Sequence, residues 1–206
     1  MAGTDEGVDD GTGDAGDARR GSPGRPRRIR IVGASGSGKT TLAREAARRL
    51  GVAHLELDAT FWDREWTFRD LADARRLVTE FAAAHPEGWV ADGNWSTRLG
   101  GLLDPGTPGG ADLVVWLDHS RVRTMARVVG RTLRRGVTRE ELWHGNRERP
   151  ATWLSRSTDD NIMLFAWRQH PAQRELMAPR AADPHWLRLS GQRAVDAWLA
   201  SLRPLG

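Results

Sequence analysis

The chain has 206 residues, enough for one well-buried α/β domain with a small lid or insert. It contains no cysteine, which excludes disulfides, thiolate metal sites and a cysteine nucleophile. No apolar run approaches the roughly 20 residues that span a bilayer, and no signal-type apolar segment opens the chain, so a cytoplasmic protein is expected. The formal net charge of +4 suits polyanionic ligands, from nucleotides to nucleic acids, without choosing between them.

Residues 1–27 are mostly Gly, Asp, Ala, Pro and Arg, with a single valine and no aromatic, and are expected to be a disordered leader. A domain is expected over 28–206. It opens with the strand Arg28-Ile29-Arg30-Ile31-Val32, followed by a Gly-rich turn and a helix from Thr40 to Leu50 that Gly51 ends. A second strand is predicted over Val52 to Leu57, with Asp58 at its end. Helical spacing through Phe68, Leu71, Ala74, Leu77, Val78 and Phe81 predicts a helix from Thr67 to Ala84.

Trp89-Val90-Ala91 reads as a third strand ending in Asp92-Gly93-Asn94, and Leu113 to Leu117 as a fourth ending at Asp118. A basic helix from Arg121 to Arg135 leads into an arginine-rich, irregular stretch. Ser157, with an acid three residues on, is expected to cap a helix running to Met177. Trp186 to Leu189 is a last strand and Ala194 to Leu202 a closing helix. Strands alternating with helices predict a parallel five-stranded sheet covered on both faces. Two inserts are expected, an acceptor-side one at 59–88 and a lid-like one at 136–157.

Gly33-Ala34-Ser35-Gly36-Ser37-Gly38-Lys39-Thr40 fits the phosphate-binding loop G-x-x-x-x-G-K-[ST] at every defined position, with a strand before it and a helix after. Glycines let successive backbone N–H groups curl around phosphate oxygens, and the helix N-terminus adds positive potential. Gly33, Ser35, Gly36, Ser37, Gly38, Lys39, Thr40 and Thr41 are therefore the candidate nucleotide-binding residues. Lys39 is expected at the β- and γ-phosphates, and the Thr40 hydroxyl at Mg²⁺. Of the 31 basic residues Lys39 alone is a lysine, a thin-stemmed point charge where every other position carries a planar guanidinium.

Asp92 and Asp118 end apolar strands, where open α/β sheets place ligands. One of them is expected at the metal, with Asp92 favoured, although each is also a plausible helix cap. Asp58 is a candidate to orient or deprotonate an acceptor hydroxyl, or else a turn residue. Arg123, Arg127 and Arg131 recur every four residues, and Arg127 and Arg131 are candidates to stabilise transferring phosphate; a solvated charged face is the bland alternative. Trp62, Trp66 and Trp95 lie near the expected acceptor, while Trp89, Trp116 and Trp198 read as core. The six histidines show no metal-ligand spacing and read as structural or solvent-facing.

Taken together, Trp89-Val90-Ala91-Asp92-Gly93-Asn94-Trp95, His54 to Asp58 with Phe61-Trp62, Ala111 to Asp118, Gly145-Asn146-Arg147-Glu148 and Phe165-Ala166-Trp167-Arg168 resemble the DNA topology modulation proteins, small relatives of adenylate kinase. The resemblance spans residues 28–203. It implies the P-loop three-layer sandwich of nucleoside monophosphate kinases, with ATP and Mg²⁺ as cofactors. It also implies Asp92 at the metal, Arg127 on the adenine, Arg131 on phosphates and Arg168 as a further phosphate ligand. Adenylate kinases continue the Asp-Gly pair with Phe-Pro-Arg; here Asn94-Trp95-Ser96 follows, and the nearest arginine is Arg98. The expectation is therefore a monomeric or homodimeric ATP-dependent phosphotransferase with an unidentified small acceptor. The rival reading is a nucleotide-dependent nucleic-acid-binding or regulatory ATPase.

Overall fold

The computed structural model describes residues 25–148, 151, 153, 155–158 and 161–204. Five strands form one all-parallel sheet: β1 (Arg28–Gly33), β2 (Ala53–Glu56), β3 (Trp89–Asp92), β4 (Leu113–Leu117) and β5 (Trp186–Leu189), in the order β2-β3-β1-β4-β5. The helices are α1 (Lys39–Leu50), α2 (Leu57–Phe61), α3 (Leu71–Ala84), α4 (Ser96–Leu99), α5 (Arg121–Thr138), α6 (Ile162–Met177) and α7 (Gly191–Ser201). Among the described residues no helix is long and apolar enough to cross a membrane.

The strands alternate with period two, so each feeds two cores. Ile29, Ile31, Val90, Val115 and Leu117 pack with Leu42, Ala46 and Leu50 of α1 and Val195 of α7. Val32, Trp89, Ala91, Val114 and Trp116 face the other way, with Ala74 and Val78 of α3 and Met177 of α6. Helices therefore cover both faces, as the alternation of elements predicts. Trp89 and Trp116 are buried, and Trp198 packs partly buried against the α1 face.

Element boundaries moved where a side-chain cap or ring contact overruled the apolar spacing. Asp58 does not end a strand: β2 stops at Glu56, and Asp58 sits in the first turn of α2. The helix expected from Thr67 starts at Leu71, because the Asp70 carboxylate accepts from the N–H groups of Ala72 and Asp73. Phe68 instead stacks on Trp62 at 4.5 Å, in a loop that folds back on itself. Helix α6 is capped by Asn161, whose Oδ1 accepts from Met163 and Leu164, and not by Ser157. Asp160, the acid three residues after Ser157, lies outside the described residues, as does most of the expected leader. Helix α5 runs to Thr138, into the stretch read as irregular, and ends where Arg139 turns left-handed at φ 51°.

One strand position breaks the apolar pattern. Arg30 is 2% exposed in the centre of the sheet. Its guanidinium donates to Asp104 Oδ1 at 2.7 Å and to Ser96 Oγ at 2.8 Å, tying the 96–104 segment to β1. Asp104→Ala is expected to cost about 2 kcal/mol of stability, since it leaves a buried guanidinium with Ser96 Oγ as its remaining partner. Glu80→Ala, which removes a partner from the exposed Arg76 pair, is expected to cost under about 0.5 kcal/mol. Urea titration of both variants checks this; equal losses would mean that Arg30 does not depend on Asp104.

Candidate active site

The P-loop joins the central strand to α1. Gly36 and Gly38 adopt φ of 78° and 96°, a region that L side chains rarely enter. Gly38 is the N-cap of α1 and brings no capping side chain, so the first-turn amides keep no side-chain acceptor. At Gly36 a Cβ would lie 2.5 Å from Val128 Cγ2 and 2.8 Å from Thr124 O. Helix α5 thus rests directly on the loop. The Ser37 hydroxyl is buried with no hydrogen-bond partner, and Thr41 is exposed in the first turn of α1.

The Lys39 ammonium donates to the main-chain oxygens of Gly33 at 2.9 Å and Ala34 at 3.1 Å. Burial lowers its pKa, while the Asp58 and Asp92 carboxylates oppose that shift. Asn94 brackets Gly33: its Oδ1 accepts from Gly33 N–H at 3.0 Å and its Nδ2 donates to Gly33 O at 2.7 Å. Asn94 is a site residue that sequence reasoning quoted without giving it a role. Its position just past the end of β3, next to the central strand, was the available signal.

Asp92, 1% exposed, accepts from the Thr40 hydroxyl on Oδ2 at 2.7 Å and meets His54 Nε2 on Oδ1 at 2.7 Å. Asp118 is engaged elsewhere. Arg188 donates to it through both Nε, at 2.8 Å, and Nη2, and Arg174 lies 3.3 Å from its other oxygen. Thr40 and Asp92 therefore supply adjoining hard oxygens at the helix N-terminus beside the lysine, a donor set that fits Mg²⁺ brought in by phosphate oxygens. The open first-turn amides and the orphaned Ser37 hydroxyl fit a triphosphate. His54, read with the other histidines as structural or solvent-facing, is the one in contact with Asp92 among the described residues.

Burial raises the Asp58 pKa; Lys39 and the Trp95 indole counter that rise, and Asp92 reinforces it. Asp58 Oδ1 accepts from Trp95 Nε1 at 2.6 Å. Leu57 and Phe61, both fully buried, lock α2 in place. Gly93, at φ 137°, lets that helix close in, for a Cβ there would lie 2.9 Å from Leu57 Cβ. The Trp95 ring stacks on Phe61 at 4.7 Å, with Trp62 edge-on at 5.7 Å and Arg98 over Phe68 at 4.6 Å. The three tryptophans expected near the acceptor thus cluster beside Asp58, Trp66 packing on Trp62.

The basic stripe of α5 turns inward. Arg127 donates to Ser37 O at 3.0 Å, Arg131 reaches Ser35 Oγ at 3.5 Å, and Arg123 donates to Gln192 of α7. Arg168 is not drawn in; it is exposed on α6 and makes no hydrogen bond or ion pair among the described residues. Beyond α5 the chain returns over the aromatic cluster. Asn146 accepts from Trp66 N–H at 3.0 Å and donates to Asp63 O at 2.7 Å, clasping the segment after α5 to the segment after α2.

Gly36→Ala is expected to destabilise the chain by about 2 kcal/mol or more, through a left-handed alanine and a displaced α5. It is also expected to weaken binding of a fluorescent ATP analogue. Gly130→Ala, in open space within α5, is expected to stabilise by about 0.5–1 kcal/mol and leave binding unchanged. Urea midpoints and analogue titrations check both; a Gly36→Ala protein that binds as wild type would separate the glycine from the phosphate cradle.

No protein-family profile matches the chain, and no curated protein sequence does. Among solved structures it is similar to shikimate kinase from Acinetobacter baumannii in complex with shikimate, at 16% identity and TM-score 0.51, covering 83% of this chain and 88% of that one. It is also similar to a gluconokinase from Sinorhizobium meliloti 1021, at 19% identity and TM-score 0.50, covering 85% and 92%. At this identity the comparison speaks to the fold: the five-stranded parallel sheet with helices on both faces is that of the small P-loop kinases.

Proposed function

We propose that the chain is an ATP- and Mg²⁺-dependent phosphotransferase that delivers a γ-phosphoryl group to a small hydroxylated acceptor. The observation that carries the reading is the convergence on one lysine. Asp92, bonded to Thr40, and Asp58, bonded to Trp95 of the aromatic cluster, both act on Lys39 through space, and Arg127 and Arg131 face the same loop. Thr40 and Asp92 would hold Mg²⁺, whose chemistry here is to neutralise charge on the β- and γ-phosphates. Lys39 and Arg131 would stabilise the transferring group, and Arg127 would pack on the base. Asp58 would take the proton of the acceptor hydroxyl as its oxygen bonds to phosphorus and ADP leaves.

The sequence resemblance supports placing this cytoplasmic enzyme, as a proposal, beside the DNA topology modulation proteins. The alternative, an ATPase that contacts nucleic acid through the basic helix, has less behind it. Two of the three stripe arginines are turned to the P-loop and the third to Gln192.

Acceptor-dependent ADP release tests the proposal, with hydroxy acids such as shikimate and gluconate, nucleosides and nucleoside monophosphates as the panel. Lys39→Ala is expected to abolish triphosphate binding. Asp58→Asn is expected to keep it while lowering acceptor-dependent kcat by about 10²–10⁴-fold. Because burial raises the Asp58 pKa, the carboxylate base forms only above the ordinary range. The rate should therefore climb with pH through that elevated pKa and then level. A rate that no acceptor accelerates, or that Asp58→Asn leaves untouched, removes the proposed transfer.

A further inference from the structure

The contact between His54 and Asp92 is not used by the chemistry above, yet its geometry is specific. In the β2–β3 register Glu56 lies opposite Asp92 and His54 opposite Val90. Side chains alternate along both strands, so His54, Glu56, Val90 and Asp92 share one sheet face. Val90 packs with Leu42 and Ala43 of α1, which places that face beneath the helix carrying Thr40. His54 thus approaches Asp92 along the sheet diagonal while Thr40 approaches from above. The two contacts fall on different carboxylate oxygens, both at 2.7 Å.

Asp92 needs both donors. At 1% exposure it has almost no water to replace either one. Its strand neighbour Glu56 is a like charge, whose pKa is raised first by burial and then by Asp92; Arg44 partly offsets this with a 3.0 Å ion pair. With Oδ1 left empty, the Thr40 hydroxyl would be the one remaining side-chain donor fixing the carboxylate among the described residues.

We propose that His54 is a positioning residue for the metal site, its Nε2–H holding Asp92 in the orientation in which Asp92 and Thr40 together receive the Mg²⁺ of the incoming triphosphate. The inference rests on the phosphotransferase reading of this site. His54 acts through Asp92 and touches neither nucleotide nor acceptor. A partner of this kind typically shifts metal affinity by about 10–100-fold, whereas a residue that only supports the strand would weaken nucleotide and metal binding together.

The test measures Mn²⁺ binding by electron paramagnetic resonance, with a non-hydrolysable ATP analogue saturating the protein, and analogue binding separately in EDTA. His54→Phe is expected to weaken Mn²⁺ binding by about tenfold or more, with metal-free analogue affinity changed less than about twofold. His54→Gln, which keeps an amide donor at similar reach, is expected to recover most of the loss. In the wild-type protein, ¹⁵N correlation spectra of His54 are expected to show a proton on Nε2, a readout that needs no variant to fold. Unchanged Mn²⁺ affinity in His54→Phe, parallel loss of metal and metal-free analogue binding, no recovery by His54→Gln, or an Nε2 without a proton each overturns the inference while leaving the proposed function standing. A wild-type chain that binds no analogue at all overturns both.

Discussion

A lysine ammonium held by two main-chain carbonyls, with no carboxylate in contact, is the condition around which this site is built. Lys39 makes no ion pair among the described residues. Asp58 and Asp92 act on it through space, enough to counter part of the desolvation that lowers its pKa. A direct pair with either acid would satisfy the charge within the protein. Keeping the acids at a distance requires other donors for them, which Thr40 and His54 supply to Asp92 and the Trp95 indole supplies to Asp58.

The sheet order makes that spacing possible. With β1 between β3 and β4, the P-loop emerges flanked by two strand ends that both carry an aspartate. Only one is left for the lysine side. The other is neutralised by Arg188 from β5 and Arg174 from α6, so the neighbouring edge of the sheet is structural. Asn94 completes the frame by gripping both main-chain polar groups of Gly33, whose oxygen also accepts from the lysine. The P-loop and the end of β3 are thus one mechanical unit.

Close backbone approach is the second requirement, and glycine meets it at two places. Gly36 admits α5 onto the loop, which brings Arg127 and Arg131 over it; Gly93 admits α2, which brings Asp58 toward Lys39. The arginine-rich stretch from the end of α5 onward is quieter than its composition implies. Arg134, Arg135 and Arg147 are paired with Glu140, Glu148 and Glu141, and Asn146 joins the stretch to the aromatic cluster through Trp66 and Asp63.

The P-loop was fully legible in the sequence because its chemistry is local: left-handed glycines, a helix N-terminus and a lysine lie within one short contiguous run. The five strands and the helices α1, α3, α5, α6 and α7 were legible from short apolar runs and helical spacing, since burial of one face acts on each element separately; the short α2 and α4 were not. Element starts were less so, because Asp70 and Asn161 compete with the apolar pattern through caps that spacing does not register. The pairings at the site were decided only by the tertiary structure. That Asp118 belongs to Arg188 depends on β5 lying beside β4, and that His54 reaches Asp92 depends on the β2–β3 register. A segment specifies its own periodicity. Which side chains meet across a sheet is set by register and strand order, and no segment carries those alone.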